Sequence, residues 1–271
     1  MESRCQKILN SLELEAYRQN GFVVPRYRLT KTLLSQLQDL AKRLVADNRT
    51  LLDSHMVGPH ILGSGTQGLK STPGWMKIAS HPDILDMIEQ ILGPNIILWN
   101  SGLFYKRPIE GPVTPFHRDA NNAPIEPLVT TSVWISVFES TVDNGCLKFL
   151  NGSHLEKISG KHELIERDDY HVPDMLDPSE YDEGTVTDAV LDPGQMVLFD
   201  IFTVHGTSYN RGKNPRAGYA IRFMPSTSVY MHDKAVMRNV KGYSHHTRPL
   251  TLVRGMDLSG RNDFSRGHPT E

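Results

Sequence analysis

The feature that most constrains this fold is a series of short strand-like segments over residues 95–230, separated by turns rich in Gly, Pro and Asn. In TTSVWISVF, Val133 and Ile135 alternate with Ser132 and Trp134, which is the period of a strand with two distinct faces. Other strand-like segments are NIILWNSGLFYKR, GCLKFL, QMVLFD and GYAIRFM. Several short strands joined by such turns predict an antiparallel sandwich or barrel.

Helical patterns precede this β core, over residues 1–94. In TKTLLSQLQDLAKRLV, Leu33, Leu37 and Leu44 fall on one helix face. HPDILDMIEQILG is a second predicted helix, with a proline near its start and a glycine as its stop. The Gly- and Ser-rich segment between the two helices is predicted to be a loop.

Helices first and strands later indicate an α+β chain with a mainly β core. We expect one domain over residues 1–271, because 271 residues suit a single large domain. Its last part, residues 231–271, is polar and rich in Arg and His. Residues 155–185 are acidic and poorly periodic, which indicates an insertion, and this insertion or the polar end of the chain is a candidate lid.

The composition excludes several classes of protein. Hydrophobic residues make up 38% and charged residues 22% of the chain, with a formal net charge of −2, so no nucleic-acid-binding surface is indicated. No apolar run is long enough to cross a membrane, and the first residues lack the apolar core of a signal peptide. Two cysteines far apart do not make a disulfide framework, so we expect a cytoplasmic protein.

Histidine is unusually common, with 12 residues, and two of them suggest a metal site. His117 and Asp119 in TPFHRDANNAP are two positions apart, so on a strand both side chains would point to one face. His205 follows the apolar segment QMVLFD and can supply a third ligand. Two histidines and one carboxylate leave open positions on the metal, which is typical of non-haem Fe(II) oxygenases, whereas zinc more often takes a tetrahedral site.

An open iron site needs a co-substrate that helps to reduce oxygen. A guanidinium group can bind the carboxylate of a dicarboxylic acid through two parallel hydrogen bonds. Arg216 and Arg222 both follow His205, and either could serve on spacing alone.

The segment from about Leu92 to Pro225 resembles the phytanoyl-CoA dioxygenase family of Fe(II)/2-oxoglutarate oxygenases. The resemblance rests on LGPNIILWNSGLFYKRP, FHRDANNAPIEPL, VWISVFESTVDNGCLKFLNGSH, LDPGQMVLFD, HGTSYN and NPRAGYAIRFMP. It implies a double-stranded β-helix (jelly roll) with helices packed outside. It also implies Fe(II), 2-oxoglutarate and O2 as reactants, with ascorbate as a supporting reductant, and oxidation of a C–H bond in a small molecule.

The resemblance also implies roles for individual residues. His117, Asp119 and His205 would be the iron ligands. Arg216 would hold the distal carboxylate of 2-oxoglutarate ahead of Arg222, because its spacing from His205 is that of the family. The remaining expected co-substrate positions are Thr207, Asn100 and Trp134, although core packing is an equally good reading of the tryptophan.

The chain departs from the family's pattern around the first ligand pair, where Arg118 and the asparagines Asn121 and Asn122 replace the expected neighbours. We therefore expect a polar and cationic substrate side, built from residues that also include Arg18, Asn20, His60, Arg254, Arg261 and Asn262. One branch of the family oxidises 2-aminoethylphosphonate, and such donors suit a phosphonate or similar zwitterion. The alternatives are an acyl-CoA or amino-acid derivative as substrate, and a metal-binding module without catalysis. The oligomeric state is left open.

Overall fold

The computed structural model describes residues 7–51, 55–62, 68–156, 161–165, 167, 169–234 and 244–268. In these parts, helices α1 to α4 span Ser11–Asn20, Lys31–Asp47, Gly74–Ala79 and Pro82–Leu92. Strands β1 to β15 span Phe22–Val23, Met56–Val57, Ile96–Lys106, Thr114–His117, Ile125–Glu126, Thr131–Ser136, Leu147–Leu150, His162–Leu164, Asp174–Leu176, Val186–Ala189, Met196–Asp200, His205–Thr207, Arg216–Pro225, Val229–Tyr230 and Thr251–Arg254. None of these helices is long and apolar enough to cross a membrane.

Two antiparallel sheets form the core. The larger sheet has the order β1-β11-β6-β13-β3-β15, with β2 also paired to β3, and the smaller has the order β10-β7-β12-β4. Their inner faces meet through apolar side chains such as Phe149 of the smaller sheet and Phe199 of the larger, whose ring centroids are 5.3 Å apart. Neighbours in each sheet are distant in sequence, as in a jelly roll. The predicted fold class is therefore confirmed.

The helices cover the outer face of the larger sheet. The apolar stripe of α2, which includes Leu37 and Leu44, is fully buried, and α4 contributes Met87 and Ile88. These side chains pack in one cluster with the outward residues of the strands. The second predicted helix begins with Pro82 at its first turn and ends before Gly93, as expected.

The sequence pattern missed strands in the two flanking regions. β1 and β2 lie within the N-terminal part that is otherwise helical, and β15 lies within the polar C-terminal part. β1 and β2 are two residues long, which is too short to show an alternation, and they exist because β11 and β3 supply partners. All three strands extend the larger sheet at its margins.

The acidic insertion packs against the smaller sheet. β8 and β9 form a hairpin inside it, and the neighbouring Val113 exchanges backbone hydrogen bonds with residues 169 and 171 just before β4. Tyr181 packs edge-on against Phe116 of β4, with ring centroids 4.9 Å apart. This segment therefore covers the strand that carries His117.

Candidate metal centre

Strand pairing brings the two candidate histidines together. His117 is the last residue of β4, His205 is the first residue of β12, and the register pairs them directly. Paired residues of an antiparallel ladder project to the same face, and the two imidazole centroids lie 4.5 Å apart. Both side chains are buried between the sheets.

Asp119 reaches the same point by a different route from the one expected. The strand ends at His117, and Asp119 opens a short 3-10 helix over Asp119–Asn122. The backbone N–H of Ala120 donates to Ile201 O, which holds this helix against the segment before His205. The Asp119 carboxylate consequently faces the histidines, with Oδ1 3.7 Å from His117 Nε2.

Backbone carbonyls orient both imidazole rings. His117 Nδ1 lies 2.8 Å from Pro115 O, and His205 Nδ1 lies 3.0 Å from Thr203 O. A carbonyl can only accept, so each Nδ1 carries the proton and each Nε2 presents a lone pair. This outer-shell arrangement is common around metal-binding histidines because it fixes the tautomer and the ring orientation.

The electrostatics favour the protonation states that a metal needs. Burial, reinforced by the neighbouring His117, lowers the pKa of His205 to about 3, so its ring is neutral at pH 7. Burial alone would raise the pKa of Asp119. The charge of Arg222 and the contacts of the Asp119 carboxylate with the two histidines instead hold this pKa well below its ordinary value. Arg222 Nε donates to Asp119 Oδ2 at 2.9 Å, which leaves Oδ1 toward the rings.

One ligand atom from each of His117, Asp119 and His205 lies within 4.8 Å of the other two. Two imidazoles and one ionised carboxylate on one side of a cavity fit a divalent metal with open coordination positions. This donor set suits non-haem iron.

The cluster lines a cavity between the two sheets. Along β13, Arg216, Ala220 and Arg222 face this cavity, whereas Tyr219 and Ile221 belong to the outer cluster under the helices. The lining residues are Phe104, Thr114, His117, Asp119, Trp134, Leu147, Val172, Phe199, His205, Thr207, Arg216, Ala220 and Arg222.

Arg216 is a fully buried cation on this cavity wall. Its Nε and Nη2 donate to Gly145 O at 3.0 and 2.6 Å. Burial lowers its pKa to about 10, so it stays charged at pH 7. Its cross-strand neighbour Lys106 is also buried, and Lys106 Nζ donates to the carbonyls of Pro112 and Ser208. This end of the cavity therefore carries the positive charge of Arg216, whereas burial and the nearby Arg216 lower the pKa of Lys106 well below its ordinary value.

Trp134 shapes the wall beside Arg216. An added Cβ at Gly218 would lie 1.8 Å from Trp134 Cζ2, so the indole lies flat on a position that only glycine leaves open. The Arg216 guanidinium carbon is 5.1 Å from the centroid of the indole ring. Thr207 also lines the cavity, and its Oγ1 accepts from the backbone N–H of Thr114.

The structure separates most of the residues that the sequence suggested for the substrate side. Arg18 and Asn20 lie at the end of α1, and Arg18 and Arg261 are exposed. Asn262 Nδ2 donates to Ser228 O in the C-terminal segment. None of Arg18, Asn20, His60, Arg118, Asn121, Arg261 and Asn262 is among the lining residues of this cavity.

The inward-looking members of this set have structural partners. Arg118 Nε donates to Phe202 O, and His60 Nδ1 lies 2.6 Å from Ser101 Oγ. Asn122 Nδ2 donates to Asp174 Oδ2, and Arg254 forms ion pairs with Asp86 and Glu89. Asn100 is paired with Arg222 across β3 and β13, so it lies beside the metal end of the cavity although it is not a lining residue.

Sequence reasoning missed several lining residues. Phe104, Leu147, Phe199 and Ala220 lie on predicted strands, and the alternation within each strand was the signal that could have placed them. Val172 comes from the acidic insertion, which carries no periodic signal.

Comparisons with known proteins agree with this architecture. A Caenorhabditis elegans homologue of phytanoyl-CoA dioxygenase domain-containing protein 1 is 24% identical over 179 residues, covering 63% of this chain and 61% of that relative. The peroxisomal phytanoyl-CoA dioxygenase of Homo sapiens is 24% identical over 262 residues, covering 87% of this chain and 77% of the relative. This chain thus spans less than two thirds of the first relative and about three quarters of the second.

Solved structures share the fold. The non-heme monooxygenase ThoJ in its apo form superposes with a TM-score of 0.67 at 22% identity, covering 91% of this chain and 85% of ThoJ. CytC3 with Fe(II) and alpha-ketoglutarate superposes with a TM-score of 0.64 at 21% identity, covering 94% of this chain and 92% of CytC3.

A jelly roll with two histidines and a carboxylate at one cavity defines the class of non-haem iron oxygenases. The family model described as "Phytanoyl-CoA dioxygenase (PhyH)" matches residues 17–218, which is most of the chain. The chain belongs to the phytanoyl-CoA dioxygenase family of Fe(II)- and 2-oxoglutarate-dependent oxygenases.

Proposed function

We propose that this protein hydroxylates a C–H bond of a small molecule, using Fe(II), 2-oxoglutarate and O2. One observation carries the proposal: a single cavity is lined by both a His-Asp-His cluster and a buried, charged Arg216. The cluster suits iron, and the arginine suits a carboxylate of the co-substrate.

Nε2 of His117, Nε2 of His205 and Oδ1 of Asp119 would hold the metal. The bound iron and 2-oxoglutarate together supply the chemistry that activates oxygen. The protein's part is to keep the rings in one tautomer through Pro115 O and Thr203 O, and to leave positions open for the reactants. No protein base is required, because in this type of hydroxylation the hydrogen leaves carbon as an atom and not as a proton.

Arg216 and Thr207 are our candidates for the distal carboxylate of 2-oxoglutarate. Arg222 is the weaker candidate for that role, because its Nε already donates to Asp119. The Thr207 hydroxyl can donate to an oxygen in the cavity while accepting from Thr114 N. Trp134 would form one side of this subsite and exclude water from it, since its indole packs on Gly218 beside the guanidinium.

The cavity favours a small substrate. It is lined by side chains of both sheets, including the rings of Phe104, Trp134 and Phe199, and part of its space must hold the co-substrate. The first compound to test is 2-aminoethylphosphonate. Its phosphonate group suits the positive charge of Arg222 on the cavity wall, whereas the other polar residues suggested by the sequence do not line the cavity. The alternative substrates are an acyl-CoA and an amino-acid derivative. The names of the relatives, which include phytanoyl-CoA dioxygenases, favour testing the acyl-CoA first.

The proposal predicts a visible charge-transfer absorption when Fe(II) and 2-oxoglutarate are added without oxygen. Absence of that band would contradict the oxygenase function and favour a metal-binding module. Arg216→Met should weaken 2-oxoglutarate binding on the order of 100-fold, because a charged hydrogen-bonding partner is lost. Arg211→Met, which removes an exposed arginine, is the matched control and should bind normally.

The substrate is then sought by following succinate formation, with ascorbate present, across phosphonates, amino acids and acyl-CoAs. Stimulation by 2-aminoethylphosphonate supports the zwitterion proposal. Stimulation by acyl-CoA alone would replace it, and stimulation by an amino acid alone would favour the alternative derivative.

A further inference from the structure

A polar row crosses the larger sheet at the metal end of the cavity. The register pairs Arg222 of β13 with Ser132 of β6 on one side and with Asn100 of β3 on the other. Ser132 is also paired with Phe199 of β11. Arg222 and Phe199 both line the cavity, and paired residues share a face, so Ser132 lies on the cavity side of the sheet.

Two donors in this row have no hydrogen-bond partner among the described residues. Arg222 Nη1 and Ser132 Oγ are both buried and unsatisfied, although Arg222 Nε is held by Asp119. Leaving such groups unpaired in the interior is costly, so native structures usually satisfy them with protein, water or ligand. Arg222 lines the cavity, and Ser132 lies on the same face of the adjacent strand without being one of the lining residues. Two unpaired donors on one face of adjacent strands are the arrangement that an oxyanion would satisfy.

The charges of the cavity point the same way. The charged lining residues are Asp119, Arg216 and Arg222, and Arg222 already balances Asp119. With a divalent metal and the dianion 2-oxoglutarate bound, the formal charges leave one positive charge in excess. Both carboxylates of the co-substrate are already in this count, so the excess favours a further, monoanionic group from the compound that is oxidised.

We propose that Arg222 and Ser132 form an oxyanion subsite beside the metal cluster, which takes a carboxylate or a related acidic group. The anion comes either from the keto-acid end of the co-substrate or from the compound that is oxidised. Arg222 Nη1 and the Ser132 hydroxyl donate to its oxygens, and Arg222 Nε keeps the guanidinium in place through Asp119. This inference rests on the proposed function and specifies the substrate side of the same cavity.

The first experiment measures binding of two probes to the anaerobic Fe(II) protein by calorimetry. One probe is 2-oxoglutarate, and the other is 4-oxopentanoate, which has a methyl group in place of the keto-acid carboxylate. If the subsite takes that carboxylate, Ser132→Ala and Arg222→Gln weaken 2-oxoglutarate binding about tenfold or more, with 4-oxopentanoate little affected. Arg28→Gln, which removes an exposed arginine, is the control.

The second experiment adds acetate or methylphosphonate to the anaerobic Fe(II) and 2-oxoglutarate complex and follows its charge-transfer band. If the subsite takes the substrate's anion, these probes shift the band of the parent and of Arg28→Gln but need on the order of tenfold higher concentration in Ser132→Ala and Arg222→Gln. Ser132→Ala is a small change that keeps the test available if Arg222→Gln does not fold.

Parent-like behaviour of both variants toward all four probes would overturn the subsite. Failure of the proposed function is distinguishable, because the parent protein itself would then show no charge-transfer band. A band in the parent with unchanged variants therefore rejects the subsite alone.

Discussion

At the scale of single residues, backbone carbonyls prepare the candidate ligands for a metal before it arrives. Pro115 O and Thr203 O each accept from an Nδ1, so the Nε2 atoms of His117 and His205 face the cavity without rearrangement. Arg222 Nε likewise orients the Asp119 carboxylate by donating to its Oδ2. Such preorganisation lowers the cost of assembling the site.

His205→Ala should abolish turnover and reduce Fe(II) binding by 10-fold or more, because one of three protein ligands is lost. The exposed His246→Ala is the control for removing an imidazole. Iron content after dialysis and the charge-transfer band measure both effects. Parent-like iron binding in His205→Ala would remove His205 from the ligand set.

At the scale of elements, β13 divides two environments by its alternation. Arg216 and Arg222 face the cavity, while Tyr219 and Phe223 face the helices. Every residue of this strand is buried. Its two arginines are nevertheless tolerated on the inner face, because they border the cavity instead of packed apolar side chains. The strand therefore positions an arginine at each end of the site.

Gly218→Ala should weaken 2-oxoglutarate binding and lower the free energy of unfolding by roughly 1–3 kcal/mol, because the new methyl group would collide with Trp134. The displaced indole would no longer lie beside Arg216. Gly184→Ala in an exposed 3-10 helix provides the comparison, since its nearest contact is a flexible aspartate side chain. Denaturant unfolding and calorimetry measure the two effects. A fully stable Gly218→Ala protein with normal 2-oxoglutarate binding would show that the close packing of Trp134 on Gly218 does not shape the subsite.

The hairpin of the acidic insertion is joined through one buried carboxylate to the 3-10 helix that begins at Asp119. Asp174 of β9 accepts from Asn122 Nδ2 at 3.1 Å and lies 3.0 Å from His162 Nδ1. Asn122 ends the 3-10 helix that Asp119 opens. The hairpin and the candidate ligand are thus mechanically connected.

Asp174→Ala should therefore destabilise the protein by roughly 1–3 kcal/mol, because buried donors lose their acceptor. We expect faster amide exchange in the hairpin and in the 3-10 helix, measured by hydrogen–deuterium exchange. Asp177→Ala, at a partly exposed helix cap of the same insertion, is the control. Unchanged exchange in the 3-10 helix would show that the two elements are not coupled.

At the scale of the whole molecule, the core contains histidines that stay neutral. Burial lowers the pKa of His60 to about 3, with His268 and Arg248 nearby, and it lowers the pKa of His171 well below its ordinary value. Between the unfolded and the folded pKa, the unfolded chain binds more protons than the native protein. Stability therefore falls as the pH falls through this window.

The metal-free protein should lose stability as the pH is lowered from about 6.5 to about 3, the window set by the unfolded and folded pKa of His60. His60→Gln should reduce the slope by up to about 1.4 kcal/mol per pH unit, because one depressed group is removed. Urea unfolding across this range measures the slope, with His246→Gln as the exposed control. An identical slope in His60→Gln and the parent would contradict the buried, neutral state of His60.

The sequence by itself determined the local structure and the chemical types at the site. The stripe through Leu37, the alternation around Trp134 and the turn residues specify helices and strands, because these patterns depend on neighbours a few positions apart. The pattern around His117 and Asp119, with a distal His205, likewise indicated iron from ligand type and spacing alone.

Only the tertiary structure decided which of these residues meet. The pairing of β4 with β12 sets His205 beside His117, and the register of β13 sets Arg222 beside Asp119 and Ser132. The polar residues that the sequence suggested for the substrate side are not among the lining residues, and Val172 enters the cavity from an aperiodic segment. Register and packing are long-range properties, set by which buried faces complement each other, so no local pattern records them.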